Sequence, residues 1–475
     1  MKFDESLLKR LRDNDRELTE LKFHNRVIED FQVKNLSDAL KVNTKLTSLK
    51  LSTNRIGYKG AVALANVLET NTTLTIVELH YNHIGNEGAV ALANALKKNT
   101  TLLKLNLGLN GIGAEGMAAL SGALEVNTTL IELDLSQNQI STTSAVILSG
   151  ALKKNTTLRN LNLFASGIGA EGATALSDAL KVNTTLVTVD LRNNLIGARG
   201  AVVLADSLKT NKSLKRLYLS KNVIGDDGAR AFSDALQVNT ALEELNLSEN
   251  DIGHEGTRAL SDALQVNTTL EKLDLSANSI GGNGAIVLAG LLKTNAMLSS
   301  LNLQLNNIGS EGAASLVDAL KVNATLSDLD LQFNDISDEA IVQINGYLLK
   351  NRKIKEYVHT LFEKAYLLER GIKVDSDDVE EQVDDTDASA PKSHILKLPA
   401  ELQVYILSYV VGMKVFEEHK VNVPEKVANK IASDLVGKSQ CLFDVRTKAL
   451  EGKKTPDDQP GVLNEAADGL SCLFL

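Results

Sequence analysis

The chain has 475 residues, 23% of them charged and 43% hydrophobic, with a formal net charge of −10. That acidity argues against nucleic acid as the main partner. The two cysteines, Cys441 and Cys472, cannot build a disulfide framework, and no stretch approaches the roughly 18 consecutive apolar residues of a membrane span, so a soluble intracellular protein is expected.

The opening segment, MKFDESLLKRLRDNDRELTE, has no apolar signal-peptide core. Leu18, Leu21, Phe23 and Ile28 then set a phase, with Arg26 where later units carry Asn. From there the pattern Leu-x-Leu-x-x-Asn-x-Ile returns every 28 residues without insertion or deletion. Its Asn position falls at 54, 82, 110, 138, 166, 194, 222, 250, 278, 306 and 334, and only Ser166 departs. A fixed period of this length signals a solenoid. Such an array has no single closed pocket and offers a long surface of equivalent positions, suited to gripping a macromolecule.

One unit shows the physics. Leu102, Leu105 and Leu107 point inward from a short strand, and Lys104, Asn106 and Gly108 alternate outward. Asn110 ends the strand, where its amide can satisfy buried peptide groups. Ile112 closes the turn, and Gly113 and Gly116 let the chain bend tightly. Met117, Ala118, Leu120, Ala123 and Leu124 form an apolar stripe at helical spacing. Asn127 ends that helix, a residue type that tolerates a left-handed C-cap, and its column is complete from Asn43 to Asn351.

This pattern resembles leucine-rich repeats of the ribonuclease-inhibitor type, over about residues 16–350. The resemblance implies an α/β solenoid with a curved parallel sheet inside and helices outside. Strands stack about 4.8 Å apart and helices roughly 8–10 Å apart, so the strand side is the concave one. The solenoid is placed at residues 1–350, with about eleven full repeats and the degenerate N-terminal unit. A capping helix is expected at 351–372, an acidic linker at 373–392 and a small helical domain at 393–475. The linker carries eight acids between Asp375 and Asp387 and no aromatic residue. All five prolines, from Pro391 to Pro460, lie beyond the array, which cannot lose backbone donors.

Partner-binding positions are sought where an outward residue departs from the theme. The position four before each Asn runs Lys50, Glu78, Asn106, Asp134, Asn162, Asp190, Tyr218, Asn246, Asp274, Asn302, Asp330, an acidic and amide ladder. Tyr81, Phe164, Arg192, Arg216 and Tyr218 stand out against it as residue types enriched in binding hot spots, and they are the candidate contacts for a protein partner on the concave face. Glu78, His80 and His83 are read as a solvated surface, and no metal or cofactor is expected. The G-x-G-x-x-G runs at Gly111–Gly116 and Gly167–Gly172 are the repeat's own turns rather than nucleotide sites. No catalytic triad stands out, and the chain is expected not to be an enzyme.

The tail adds two motifs. Leu398, Pro399, Glu401 and Leu402 open a segment that resembles the first helix of an F-box, which implies docking to Skp1 as a ubiquitin-ligase substrate adaptor. Cys472-Leu473-Phe474-Leu475 resembles a CaaX prenylation box, with Leu in the geranylgeranyl position, which implies a lipid at Cys472 and a membrane surface as partner. The whole resembles effectors that intracellular bacteria secrete into a host cytosol, where the lipid would carry the protein to host membranes. The expected function is a non-enzymatic protein–protein interaction scaffold. The alternatives are the F-box adaptor and a GTPase-activating protein, since the Ran activator shares this repeat type and uses an Arg that Arg55 would match.

Overall fold

The structure, a computed structural model, describes residues 4–369. The chain divides into two compact units, and the array through Ala365 lies in the first. Twelve three-residue strands, from β1 (Glu20–Lys22) to β12 (Asp328–Asp330), form one parallel sheet in sequential order. Each pair is offset by one repeat, as in Lys104↔Glu132 between β4 (Lys104–Asn106) and β5 (Glu132–Asp134). Constant spacing therefore puts every repeat position directly beside its own copies, and each column of the sequence becomes a row on the molecule. The strands alternate with helices, so the leucine-rich-repeat solenoid is the observed fold.

The leucine columns fill the space between sheet and helices. Leu102, Leu105, Leu107 and Ile112 are all fully buried, and their equivalents along the array are buried too, except Ile336 of the last repeat, which is partly buried. This continuous core stabilises each repeat only through its neighbours. At the start, α1 (Glu5–Arg12) buries Leu7, Leu8 and Leu11 against the first repeat. At the other end, α13 (Asp338–Glu369) runs from the last repeat through the segment expected to cap the array as one 32-residue helix. Its Ile344, Leu348 and Ile354 are buried.

Two asparagine rows satisfy the backbone where the chain turns. Asn138 donates from Nδ2 to the carbonyls of Leu107 and Leu135, both at 3.0 Å. Its Oδ1 accepts the N–H groups of Asn110 at 3.1 Å and Ile112 at 3.0 Å. Ser166 has no such reach. Its hydroxyl meets the carbonyls of Phe164 at 3.2 Å and Leu135 at 3.3 Å, and the Ile140 N–H turns to the Ser166 backbone carbonyl at 3.0 Å.

The second row works differently from the expected left-handed cap. Asn127 is not among the residues of positive φ. Instead its Nδ2 donates to the carbonyl of Leu96, 31 residues back, at 2.8 Å, and its Oδ1 accepts the Leu130 N–H at 2.8 Å. The left-handed conformation sits elsewhere, on the residue before each ladder Asn and, in several repeats, also on the residue after it, such as Leu195 and Val223. Before the Asn, Thr53, Tyr81, Leu109, Lys221 and Phe333 have φ between 51° and 59° or, for Leu109, 50°. Side chains with a Cβ rarely adopt this conformation, and the ladder Asn that follows holds it in place. The row also buries the glycosylation sequons at Asn71 and Asn99, whose side chains are spent on backbone bonds.

Gly116 is required by packing rather than by a bend. A Cβ there would stand 2.7 Å from Ile112 Cγ2 and 2.9 Å from Ala89 Cβ, so the glycine lets neighbouring helices close up. Where Ser144 replaces this glycine, Ser141 caps α6 (Thr142–Leu152) by accepting the Ser144 N–H. At three other helices the cap comes from the preceding repeat: Asp30, Asn86 and Asp226 accept the N–H groups of Gly57, Gly113 and Gly253 at 2.6–2.7 Å.

Candidate protein-binding face

Strand alternation sends the residues four and six before each ladder Asn to the outer face of the sheet. The residue two before lies just past the strand end on the same side. Phe164 and Arg192 are such residues in adjacent repeats, following β6 (Asn160–Asn162) and β7 (Thr188–Asp190). Tyr218 ends the next strand, β8 (Arg216–Tyr218), and is the register partner of Asp190. Three neighbouring repeats thus bring together one cation and two aromatic rings.

The Arg192 guanidinium lies 5.5 Å from the Phe164 ring and 5.7 Å from the Tyr218 ring. Asp190 holds it there. One carboxylate oxygen accepts both the Arg192 backbone N–H at 3.0 Å and Nε at 2.9 Å, and the other accepts Nη2. That hydrogen-bonded pairing raises the guanidinium's pKa further and fixes its charge. Two-point pairing with a planar fork is the strong form of an ion pair. Tyr218 is half-buried, and burial, reinforced by the charge of Glu244, raises its phenol above 10.0. It therefore stays protonated and remains a donor at neutral pH. Arg216 donates from Nε to Thr188 Oγ1 at 3.0 Å, which lays its side chain across β7. A groove of about 360 Å³ crosses β4 to β8 beside this cluster, with Arg216 and Tyr218 among its lining residues.

The structure therefore unites Phe164, Arg192, Arg216 and Tyr218. It leaves Tyr81 apart, beyond β3 (Ile76–Glu78), where it is 51% exposed and tilts against His80 at 6.5 Å. Among the described residues no group of three His, Cys, Asp or Glu side chains could hold a metal ion, Glu78, His80 and His83 included. Arg55 is exposed and 3.9 Å from Glu29. Leu398, Pro399, Glu401, Leu402 and Cys472 lie outside the described residues, as do the linker and the C-terminal segment.

The acidic and amide ladder proves largely structural. Asn106, Asp134, Asn162, Asp190, Asn246, Asp274, Asn302 and Asp330 each accept the N–H two residues on, at 2.8–3.1 Å. The side chains also bond sideways, Asn162 to Asp134 at 3.0 Å and Asn246 to Asp274 at 2.8 Å. Tyr218 interrupts this row, which makes it a true departure rather than a tolerated substitution. Asp190 was legible only as part of the ladder. The Asp-x-Arg spacing on one strand face was the signal that it anchors Arg192.

A family model described as the NLRC3 LRR domain matches residues 5–359. No curated protein matches the chain. Among solved structures, an internalin, inlF, from Listeria monocytogenes is 19% identical and covers 71% of this chain and 86% of its own, with a TM-score of 0.42. Leiomodin-1 actin-binding site 2 is 21% identical, covering 34% of this chain and 94% of its own at a TM-score of 0.32. The tropomodulin C-terminal domain of Caenorhabditis elegans is 17% identical, covering 42% of this chain and 98% of its own at 0.28.

Proposed function

We propose that this chain, which belongs to the leucine-rich-repeat family described as the NLRC3 LRR domain, is a scaffold that binds another protein through the sheet face of its central repeats. The observation that carries this reading is Arg192, held between Phe164 and Tyr218 and fixed by Asp190. Side chains already locked in place lose little conformational freedom when a partner arrives. Aromatic and Arg anchors of this kind supply most of the affinity at interfaces. The rest of the sheet face is polar and self-satisfied, which suits a rim that excludes water.

The partner is proposed to be a protein of a eukaryotic host cell. The near-identical repeats resemble those of bacterial effectors, and Cys472 stands where a eukaryotic prenyltransferase would modify it. On this reading the C-terminal part localises the array and the array selects the partner.

The test is affinity capture from host-cell lysate with the full chain and with Phe164→Ala/Tyr218→Ala. A partner retained by the first and lost by the second supports the reading. A partner retained equally by both would move binding away from these strands.

A further inference from the structure

The edge of the array where helices end and strands begin has a chemistry that the sheet face does not share. The five segments 94–103, 122–131, 150–159, 178–187 and 206–215 lie side by side there. Their asparagines stack, Asn127 donating to the Asn99 carbonyl at 3.2 Å and Asn155 to the Asn127 carbonyl at 3.3 Å. Together these segments carry nine Lys and Arg against three Asp and Glu, in a chain of net charge −10. Five of these basic residues are paired, Lys98 with Glu69, Lys154 with Glu125, Lys181 and Lys209 with Asp206, and Lys215 with Glu243, at 2.7–3.7 Å. Lys97, Lys153, Arg159 and Lys212 are exposed and join no ion pair among the described residues. The residue before the stacked Asn also projects outward: Val126 and Val182 are both 58% exposed, and Leu103 follows at 41%.

We infer that this edge is a docking surface for an anionic lipid bilayer. Charge selects the occupant, because screening limits each charged group to about 10 Å at ordinary ionic strength. A membrane therefore meets the basic edge and not the protein's acidic total. The exposed valines and Leu103 favour lipid over a nucleic-acid backbone, since apolar side chains gain by entering the headgroup boundary. Rows of lysine close to an anionic leaflet each add attraction. The stacked asparagines hold the whole row rigid, so several groups engage at once. This inference is independent of the partner proposed for the sheet face.

The test uses the full chain expressed in bacteria, which leaves Cys472 without a prenyl group. It is sedimented with phosphatidylcholine vesicles with and without phosphatidylserine. Binding is expected only to the phosphatidylserine vesicles, and to be lost near 1 M salt, where the screening length falls to about 3 Å. Lys153→Glu/Lys154→Glu is expected to weaken it about tenfold or more, and Val126→Asp/Val182→Asp to weaken it as well. Lys34→Glu/Lys59→Glu makes the same change in net charge on the helical face and is expected to stay within about twofold of wild type. Thermal melts establish that each variant is folded. The inference is overturned if anionic vesicles are not bound at low salt. Equal loss from both lysine pairs overturns it too, as does binding to single-stranded RNA with none to vesicles.

Discussion

The guanidinium of Arg192 stands 5.5 Å from the ring of Phe164, one repeat away on the same row of the sheet. Neither residue approaches the other in sequence, and only the constant 28-residue offset between strands places them side by side. Replacing Phe164 and Tyr218 by Ala is expected to weaken partner capture at least about tenfold, the cost of losing one hot spot. Both side chains lie outside the leucine core, so unfolding free energy is expected to change by less than about 1 kcal/mol. Isothermal titration with the captured partner and a denaturant melt measure the two effects separately. A large loss of stability would show that the cluster is part of the fold instead.

The ladder asparagines should behave in the opposite way. Asn222 is fully buried and donates to the carbonyls of Leu191 and Leu219 at 2.9 Å each, while accepting the Asn194 N–H at 2.9 Å. Asn222→Ala leaves several buried groups unpaired at about 1–3 kcal/mol each. A loss of roughly 3 kcal/mol or more is expected by urea denaturation. Ser166→Asn is the converse change and is expected to add about 1 kcal/mol, because it would supply the side-chain amide acceptor that Asn138 offers to Asn110 and Ile112 in the neighbouring turn.

Much of this fold could be read before any coordinates, and for a physical reason. An uninterrupted period leaves one way to stack the repeats, so Leu105 or Ile112 could be placed in the core from spacing alone. The Arg and aromatic side chains of the site were visible because they break a polar column. Other features were hidden. The left-handed residue is Leu109 or Tyr81, types that do not seek that conformation, and it is imposed by the Asn ladder beside it. The role of Asp134 and its equivalents depends on the strand ending after three residues, which frees the next N–H for their side chains. Nothing in the period announced α1, because it precedes the first repeat.

Two glycines of one repeat are expected to respond differently to alanine. At Gly228, which lies in α9 (Gly225–Leu236), a Cβ would meet Ile224 Cγ2 at 2.2 Å and Ala201 Cβ at 2.9 Å. Overpacking there is expected to cost about 1–3 kcal/mol or more. At Gly225 nothing lies within 4 Å, but φ is +64°. The cost is then conformational alone, about 1–2 kcal/mol. Asn at this second position should recover part of the loss, since its short polar side chain visits that region. At Gly228 Asn should be worse than Ala. Melting temperatures of the four variants check the pattern, and equal rescue by Asn at both positions would contradict it.

The ion pair of Lys181 with Asp206, 2.9 Å apart, carries a pH dependence of known sign. The hydrogen bond from Lys181 lowers the Asp206 pKa below the ordinary 3.8. A carboxylate with a lowered folded pKa adds stability above its unfolded value and loses it as pH falls through the folded one. Lys181→Ala is therefore expected to cost about 0.2–1 kcal/mol at neutral pH, the range of an exposed pair. The difference from wild type should shrink once the pH drops below 3.8. A difference that grows on acidification would mean that some other group governs this site.

The lipid proposed for Cys472 and the basic edge inferred for the array would act on the same membrane surface. Cys472 is one of two cysteines in the chain, three residues before Leu475, a spacing that resembles a geranylgeranylation box. One lipid chain gives only marginal, reversible anchoring, and a basic surface is a common second signal. The sequence beside Cys472 holds no basic cluster, so on this reading the second signal comes from the array instead. In eukaryotic cells the wild-type chain is expected in the membrane fraction, with the mass of a C20 prenyl group on Cys472. Cys472→Ser should remove that mass and shift most of the protein to the cytosol. Lys153→Glu/Lys154→Glu should keep the mass and still shift a substantial part. If Cys472 stays unmodified where the transferase is active, the lipid is ruled out, and any membrane binding that persists belongs to the edge alone.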